Sequence, residues 1–259
     1  MVSDVQEDGA RETVRQIEAS GRRASMFKAN VRREADIRAL IAHAEQMYGG
    51  LDVLVNNASA PHSGEPLEEW MATIETDLLG TLYGTYAAID AMRRRGGGAI
   101  INIGSTSALA HGRTTPGGWV AYDVAKAGVM RLTTRLAHLR DSDGIRVNCL
   151  VPHWIAVPEV KTYVDSLTSE QRQTRGVPPR LITLDEIADA VEYLATDESL
   201  AGRLLVFWDT GPRLIPWADA GFSGEERVTI TSVDARQDAL DVDAARQRSE
   251  RVPRIPHQA

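Results

Sequence analysis

Short apolar segments alternate with longer amphipathic segments along most of this 259-residue chain. This alternation constrains the fold most, because strands that alternate with helices form a parallel sheet covered on both faces. In the clearest helix, Arg33–Tyr48, one apolar stripe recurs at helical spacing and consists of Ile37, Leu40, Ile41, Ala44 and Met47. The predicted helices are Glu7–Ser20, Arg33–Tyr48, a long region from Pro66 to about Arg95, Val120–Arg140 and Leu184–Thr196. The predicted strands are Ala24–Ala29, Leu51–Ala58, Ala99–Ser105, Arg146–Val151 and Arg203–Phe207.

Composition limits the classes of partner. With 43% hydrophobic residues the chain can bury a core as one domain, and its formal net charge of −7 does not favour nucleic acid or anionic membrane. No apolar run approaches the roughly 18 residues that span a bilayer, and the first residues show no signal-sequence pattern. Cys149, the single cysteine, lies in a predicted buried strand and is expected to be a small core residue. The six histidines lack metal-ligand spacing. We therefore expect a cytoplasmic protein without a metal site.

Tyr122 and Lys126 lie four positions apart in a predicted helix, where residues i and i+4 share a face. A free tyrosine ionises near pH 10, and a neighbouring positive charge lowers its pKa. The spacing therefore predicts a tyrosine that can act as a general acid or base near neutral pH.

Three predicted strands end in residues that support this interpretation. Leu51–Ala58 ends in two amides and an alanine, Ala99–Ser105 ends in a hydroxyl, and Gly144–Pro152 ends at a proline. Together with Tyr122 and Lys126, in this order, these segments resemble the short-chain dehydrogenase/reductase family. A separation of four argues against the enoyl-reductase variant, which resembles the family but spaces the tyrosine and lysine more widely.

The resemblance extends from about Val2 to Gly211 and implies an α/β fold, a Rossmann-like doubly wound parallel sheet. It predicts one such domain over residues 1–221. The remaining residues, 222–259, are predicted to form a largely disordered or partner-dependent tail, because Glu225–Ala259 mixes charges of both signs with few large apolar residues.

One segment of the family pattern is missing from this sequence. The family opens with a strand and a Thr-Gly-x-x-x-Gly-x-Gly turn, whose backbone amides hold the cofactor pyrophosphate. Here Val2–Val5 resembles the end of the second strand, so strand 1 and the first helix are absent and a gap is expected within the sheet. Either the recorded start lies about 30 residues downstream of the true one, which we favour, or the dinucleotide site has been abandoned. The chain as given should bind NAD poorly.

The resemblance implies a role for each candidate catalytic residue. Tyr122 would exchange the proton, and Lys126 would lower the pKa of Tyr122 and bond the nicotinamide ribose. Ser105 would orient the substrate oxygen, with Ser107 as its competitor for that role. Asp77 stands where the family usually carries an asparagine that holds a water for proton relay; it would hold that water or be a buried structural acid.

The resemblance also implies a cofactor site. Asp4, at the end of the first recorded strand, would accept hydrogen bonds from the adenosine ribose and favour NAD over NADP. Ser59 replaces a family glycine and is read as tolerated, and His153 after Pro152 would face substrate or solvent. The region Val157–Leu181 has the variable composition expected of a substrate loop. The predicted cofactor-binding residues are Asp4, Asn30, Val31, Asn56, Asn57, Ala58, Tyr122, Lys126, Pro152 and Ile155.

The leading hypothesis for function is an NAD(P)-dependent oxidoreductase that interconverts an alcohol and a ketone. The expected partners are a small-molecule substrate and further copies of the chain, as a homodimer or homotetramer. The alternative is a non-catalytic, cofactor-free scaffold that dimerises through the helices that begin near Pro66 and Val120. This alternative is supported by the missing glycine turn, by Asp77, and by Val157, which stands where the family usually carries a threonine that contacts the nicotinamide.

Overall fold

The structure is a computed structural model that describes residues 1–61, 66–109 and 119–215. Within it, Met1–Ile215 forms one unit. The strands are β1 Val2–Asp4, β2 Met26–Lys28, β3 Val53–Asn56, β4 Gly98–Ile103, β5 Ile145–Pro152, β6 Leu204–Trp208 and β7 Gly211–Leu214. The α-helices are α1 Glu7–Ala19, α2 Glu34–Tyr48, α3 Leu67–Thr73, α4 Gly80–Arg95, α5 Val120–Arg135, α6 Leu139–Asp143, α7 Pro158–Ser166, α8 Ser169–Thr174 and α9 Leu184–Thr196.

The strands form a parallel α/β arrangement, which confirms the predicted Rossmann-like fold class. β3, β4, β5 and β6 are parallel neighbours in that order, and β7 adds to β6 in the antiparallel direction. β1 and β2 form a separate parallel pair. As the predicted gap requires, β1 and β3 belong to different sheets. The β3 side chains Val53 and Val55 are 44% and 40% exposed, although strands of this class are usually buried on both faces.

Helices cover both faces of the five-stranded sheet. On one face α9 packs its buried Leu194 against Ile101 and Leu150. On the other face α4 packs Met92 against Ile100, and α5 packs Val129 against Cys149. Cys149 is fully buried, as predicted for a small core residue. These two layers fix the positions of the strand ends that carry the candidate site.

Helix α2 shows why the predicted apolar stripe folds as it does. Ile37, Ile41 and Ala44 are buried, and the two isoleucines pack against Ala87 and Ala91 of α4. The helix ends at Gly49, whose φ of 82° lies in the left-handed region that favours glycine. Met47, predicted to belong to the stripe, is instead 44% exposed in the last turn, beyond the contact with α4.

The long helix predicted from Pro66 to Arg95 is three elements. After α3, residues Ile74–Leu79 form a π-helical turn, and α4 follows directly from Gly80. Pro66 precedes the first turn, where its missing N–H costs nothing. Asp77 lies in this π turn. The prediction of one long helix therefore placed Asp77 on a helix but did not include the π-helical geometry at that position.

One further helix boundary was wrong, and one predicted loop region contains helices. Helix Val120–Arg140 ends at Arg135, and α6 follows it as a separate short element. The region Val157–Leu181, read as a variable substrate loop, contains α7, which begins at Pro158, and α8, which has a Thr168 capping box.

The predicted tail from residue 222 lies outside the described residues. Among those described, no helix combines the length and apolar character that crossing a bilayer requires.

Candidate active site

The candidate site lies at the carboxyl ends of β3, β4 and β5. Asn56 of β3 lies opposite Asn102 of β4, which lies opposite Cys149 of β5, so these parallel strands end at one edge of the sheet. Crevices at the carboxyl ends of parallel strands are where open α/β sheets bind ligands. Helix α5 begins near this edge and presents Tyr122 and Lys126.

The side chains of Tyr122 and Ser105 lie within hydrogen-bonding reach of each other. The structure therefore brings together the two residues that the sequence predicted as proton carrier and substrate anchor. Ser107, the predicted competitor, donates its hydroxyl to the Ser105 hydroxyl at 3.0 Å, and its backbone N–H reaches the same oxygen at 3.2 Å. Ser107 thus orients Ser105.

Lys126 is enclosed beneath Tyr122. Its residue is 3% exposed, and its ammonium donates to the carbonyl oxygen of Ile103 at 3.0 Å. The Nζ atom lies 3.4 Å from Asp77 Oδ2 and 5.4 Å from the centroid of the Tyr122 ring. Tyr122 and Lys126 are therefore neighbours, as their i and i+4 spacing predicts. The spacing does not reveal that the Asp77 carboxylate contacts the same ammonium.

Asp77 is fully buried and accepts hydrogen bonds on both oxygens. Ser59 donates its hydroxyl to Oδ2 at 2.6 Å, and the backbone N–H of Ala60 donates to Oδ1 at 2.8 Å. The interpretation of Ser59 as a merely tolerated replacement missed this contact. The available signal was that two departures from the family pattern, Ser59 and Asp77, occur in the same chain.

The pKa of Tyr122 is raised above its usual value, contrary to the prediction that Lys126 lowers it. Burial of the phenol is the main cause, and the negative charges of Asp77 and Asp123 act in the same direction. The hydrogen bond with Ser105 opposes them. The prediction failed because helix spacing reports one neighbour of Tyr122, while desolvation and two carboxylates outweigh it.

Asn56 ties β3 to its neighbours through its side-chain amide. Its Nδ2 donates to Asn102 Oδ1 at 2.9 Å and to Thr85 Oγ1 at 3.2 Å. Asn102 in turn donates to Thr133 Oγ1 at 3.0 Å. This buried ladder joins β3, β4, α4 and α5, so the Asn56 side chain is engaged inside the protein. A ligand would meet the exposed Asn57 and Ala58 that follow it.

The predicted adenosine contacts lie at the ends of β1 and β2. Asp4 is exposed, and its Oδ1 accepts the backbone N–H of Gln6 at 2.8 Å. Asn30 Oδ1 accepts the backbone N–H of Arg32 at 3.0 Å, which closes a local turn. Val31 packs against α2 and α4. These residues occupy strand ends, as predicted, and Asn30 has a turn role that leaves one acceptor lone pair.

The nicotinamide end of a dinucleotide fits the residues present. An ammonium has three donors, and Lys126 uses two of them on Ile103 and Asp77 among the residues that the structure describes. The third is available to a ribose hydroxyl beside Tyr122. For the pyrophosphate, the sequence offers no glycine-rich turn at a helix N-terminus.

Residues after β5 close the other side of the site. His153 Nδ1 and Thr106 Oγ1 share a hydrogen bond at 2.9 Å, and the imidazole lies 5.4 Å from the Trp208 ring. Burial lowers the pKa of His153. His153 is thus half-buried beside Thr106 and Trp208 and is not a fully solvated loop residue. Pro152 is buried at the end of β5, and Ile155 pairs with Ile182 in an isolated parallel bridge.

The described residues contain no candidate metal site. Over residues 1–61, 66–109 and 119–215, no group of three or more histidine, cysteine, aspartate or glutamate side chains is placed to hold a metal ion.

Comparisons with known proteins agree with this geometry. A family model described as Enoyl-(Acyl carrier protein) reductase matches residues 1–202. The chain is 33% identical to a 3beta-hydroxysteroid dehydrogenase 1 of Eggerthella lenta, over 81% of this chain and 82% of that protein. It is 34% identical to a cis-4-hydroxycyclohexanecarboxylate dehydrogenase of Sinomonas cyclohexanicum, over 76% and 79%.

A solved structure shows the same fold. The crystal structure of a gluconate 5-dehydrogenase from Burkholderia cenocepacia, in complex with NADP and tartrate, superposes with a TM-score of 0.67 at 27% identity. The match covers 79% of this chain and 82% of that one. The motifs, the sheet and these relatives lead to one conclusion. The chain belongs to the short-chain dehydrogenase/reductase family, whose members are NAD(P)-dependent oxidoreductases acting on CH–OH groups.

Proposed function

We propose that this protein interconverts a small-molecule alcohol and its ketone, with Tyr122 as the general acid/base. The observation that carries the proposal is that the Tyr122 and Ser105 hydroxyls lie within hydrogen-bonding reach of each other above the buried Lys126. Two neighbouring hydroxyls can together present a donor and an acceptor to a third oxygen, that of the substrate. A nicotinamide cofactor would supply or accept the hydride in this reaction.

The protein's own residues manage the proton. In the reducing direction the Tyr122 phenol donates its proton to the substrate oxygen, and Ser105 holds that oxygen in place. In the oxidising direction Tyr122 must first be ionised to accept a proton. Because the pKa of Tyr122 is raised, the phenol predominates at neutral pH. We therefore expect ketone reduction near neutral pH, and alcohol oxidation that accelerates as pH rises.

Replacing Tyr122 with phenylalanine tests this mechanism. General acid–base catalysis contributes about 10²–10⁴-fold, so turnover in Tyr122→Phe should fall at least about 100-fold. Ketone reduction would be followed by the absorbance of the reduced cofactor, with NADH and NADPH each at millimolar concentration. Tyr86→Phe is the matched control, because Tyr86 is 61% exposed on α4.

The same assays decide against the proposal in two ways. Full activity of Tyr122→Phe would exclude the phenol as the proton carrier. Because the chain as given is expected to bind NAD poorly, cofactor binding is measured first by calorimetry; no turnover with any ketone or alcohol of a broad panel at saturating cofactor would favour the scaffold alternative. An enoyl thioester belongs in the panel as an expected non-substrate, because Tyr122 and Lys126 are four residues apart.

Cofactor preference follows from Asp4. We propose that NAD is preferred, because an exposed carboxylate at the end of β1 accepts ribose hydroxyls and repels a 2′-phosphate. Charge-assisted hydrogen bonds contribute roughly 1.5–3 kcal/mol each, so Asp4→Ala should lower the NAD preference at least about tenfold. The measurement is kcat/KM for both cofactors. An unchanged ratio would remove Asp4 from the cofactor site.

An assembly of several copies is the second proposal. Apolar side chains on α3 and α5 are exposed, including Leu67 at 66%, Met71 at 50%, Val120 at 53% and Val124 at 56%. Such a patch on a protein surface indicates an interface. We propose a homodimer or homotetramer through these helices, in the cytoplasm. By light scattering, the molar mass of the Val124→Lys variant in solution should be smaller than that of the unchanged protein. Equal molar masses would show that Val124 is not part of the interface.

A further inference from the structure

Asp77 is a buried carboxylate with three donors around it. Its Oδ2 accepts the Ser59 hydroxyl at 2.6 Å and lies 3.4 Å from Lys126 Nζ. Its Oδ1 accepts the backbone N–H of Ala60 at 2.8 Å. A buried charge is tolerated when it is paired and hydrogen-bonded, and Asp77 meets both conditions. Ser59 and Lys126 meet on the same oxygen atom.

We propose that Ser59 is a positioning residue that directs the Asp77 carboxylate to the Lys126 ammonium, so that the positive charge beside Tyr122 is already compensated. In its consequence for catalysis this inference rests on the proposed function. The electrostatic arrangement itself exists in the protein without substrate.

The geometry explains why Ser59 is needed. The Ala60 N–H holds one carboxylate oxygen and leaves the group free to turn about its bond to Cβ. The Ser59 hydroxyl fixes the second oxygen, which is the one that faces Lys126. The two positions that depart from the family pattern, Ser59 and Asp77, are therefore hydrogen-bonding partners.

The charges around Tyr122 give the direction of the effect. Asp123 and Lys126 face the Tyr122 phenol from its own helix, α5. Asp77 faces it from the π turn Ile74–Leu79, and the neutral Ser105 faces it from the end of β4. Two negative charges thus face one positive charge among the described residues. The raised pKa of Tyr122 agrees with this balance. Removing the Asp77 charge should make Tyr122 easier to ionise.

Direct titration of Tyr122 tests the proposal. With tyrosine labelled with ¹³C at Cζ, the resonance missing in Tyr122→Phe belongs to Tyr122. It should titrate above the value of about 10 for free tyrosine. In Asp77→Asn, which keeps the shape of the side chain, the pKa should fall by roughly one unit, a tenfold rise in the ionisation constant.

Ser59 is tested by its dependence on Asp77. Ser59→Ala should lower the pKa of Tyr122, because the carboxylate can then turn away from Lys126 and the positive charge beside the phenol is less compensated. The same change in the Asp77→Asn background should have no effect, and Ser59→Thr should restore the original titration. Thr76→Ala is the matched control: it removes a hydroxyl from the same π turn, and that hydroxyl bonds the Ala72 carbonyl.

Several results would overturn the proposal. These are a Tyr122 resonance that titrates below about 10 in the unchanged protein, an unchanged titration in Asp77→Asn, or equal shifts from Ser59→Ala in both backgrounds. The titration of Tyr122 in the unchanged protein requires no substitution at Ser59 or Asp77, so it tests the proposal even if those variants do not fold. The titration requires neither cofactor nor turnover. An inactive protein would therefore refute the proposed function and leave this result intact.

Discussion

Gly84 is the position where one added methyl group should damage the fold most clearly. It lies inside α4, directly against the Asn56 side chain. A Cβ at Gly84 would overlap Asn56 Oδ1 and lie 3.2 Å from Asn56 Cγ. Asn56 cannot move aside freely, because its amide bonds Thr85 and Asn102.

The expected loss of stability for Gly84→Ala is about 3 kcal/mol. Overpacking of a filled core costs about 1–3 kcal/mol. Displacing Asn56 leaves buried partners unsatisfied, at about 1–3 kcal/mol more. Alanine is the better helix former by about 1 kcal/mol, which offsets part of this. With a urea m-value of about 3 kcal/mol/M, the unfolding midpoint should fall by about 1 M.

Urea unfolding followed by far-ultraviolet circular dichroism measures this midpoint. Gly9→Ala is the matched control, because Gly9 lies in α1 and an added Cβ there meets nothing within 4 Å. Its midpoint should stay the same or rise. In an Asn56→Ala background the overlap is removed, so Gly84→Ala should cost little there. A Gly84→Ala midpoint within about 0.2 M of the unchanged protein would refute the reasoning.

Two further predictions concern titratable groups. The guanidinium of Arg180, with the Thr183 backbone N–H, lowers the pKa of Glu186 from 4.5 to about 2; because the folded pKa is depressed, this contribution to stability is present above pH 4.5 and is lost as pH falls towards 2. The free energy of unfolding of Glu186→Gln should therefore vary less across that window, and an identical pH dependence would contradict the assignment. Burial raises the pKa of the Cys149 thiol to about 12, so an aromatic disulfide reagent should label Cys149 only after unfolding; rapid labelling of the native protein would show that the core is open there.

Helix α9 shows what local sequence determines. Its predicted range, Leu184–Thr196, is the observed one. Thr183 accepts the backbone N–H of Glu186, and the Glu186 side chain accepts that of Thr183, so the capping box fixes the first turn. All the information for this helix lies within neighbouring residues, and the pattern therefore predicts it well.

Helices α7 and α8 had equally local signals that were not used. Pro158 stands at the first turn of α7, and Thr168 and Gln171 form the capping box of α8. The family resemblance predicted a variable loop over this region, and that expectation outweighed the signals in the residues. Strand β7 was missed for a different reason, since a four-residue antiparallel edge strand depends on its pairing with β6.

The candidate site also combines residues that local sequence predicts with residues that only the fold brings together. The Tyr122 and Ser105 pair was predictable, because each stands at a recognisable position in a strand or helix. The charge balance at Tyr122 was not, because Asp77 and Ser59 are 18 residues apart and meet through the fold. Spacing reports neighbours within one element, whereas a pKa depends on every element that surrounds the group.

The π turn Ile74–Leu79 makes the active-site charge depend on helix register. In an α-helix each residue turns by about 100°, and a π turn accommodates one more residue than an α-helical turn does. Deleting one residue before Asp77 would restore regular geometry while rotating the carboxylate by about that angle, away from Lys126. The composition of the site would be nearly unchanged and its ion pair lost. Backbone winding is thus a variable that a designer could tune here independently of residue identity.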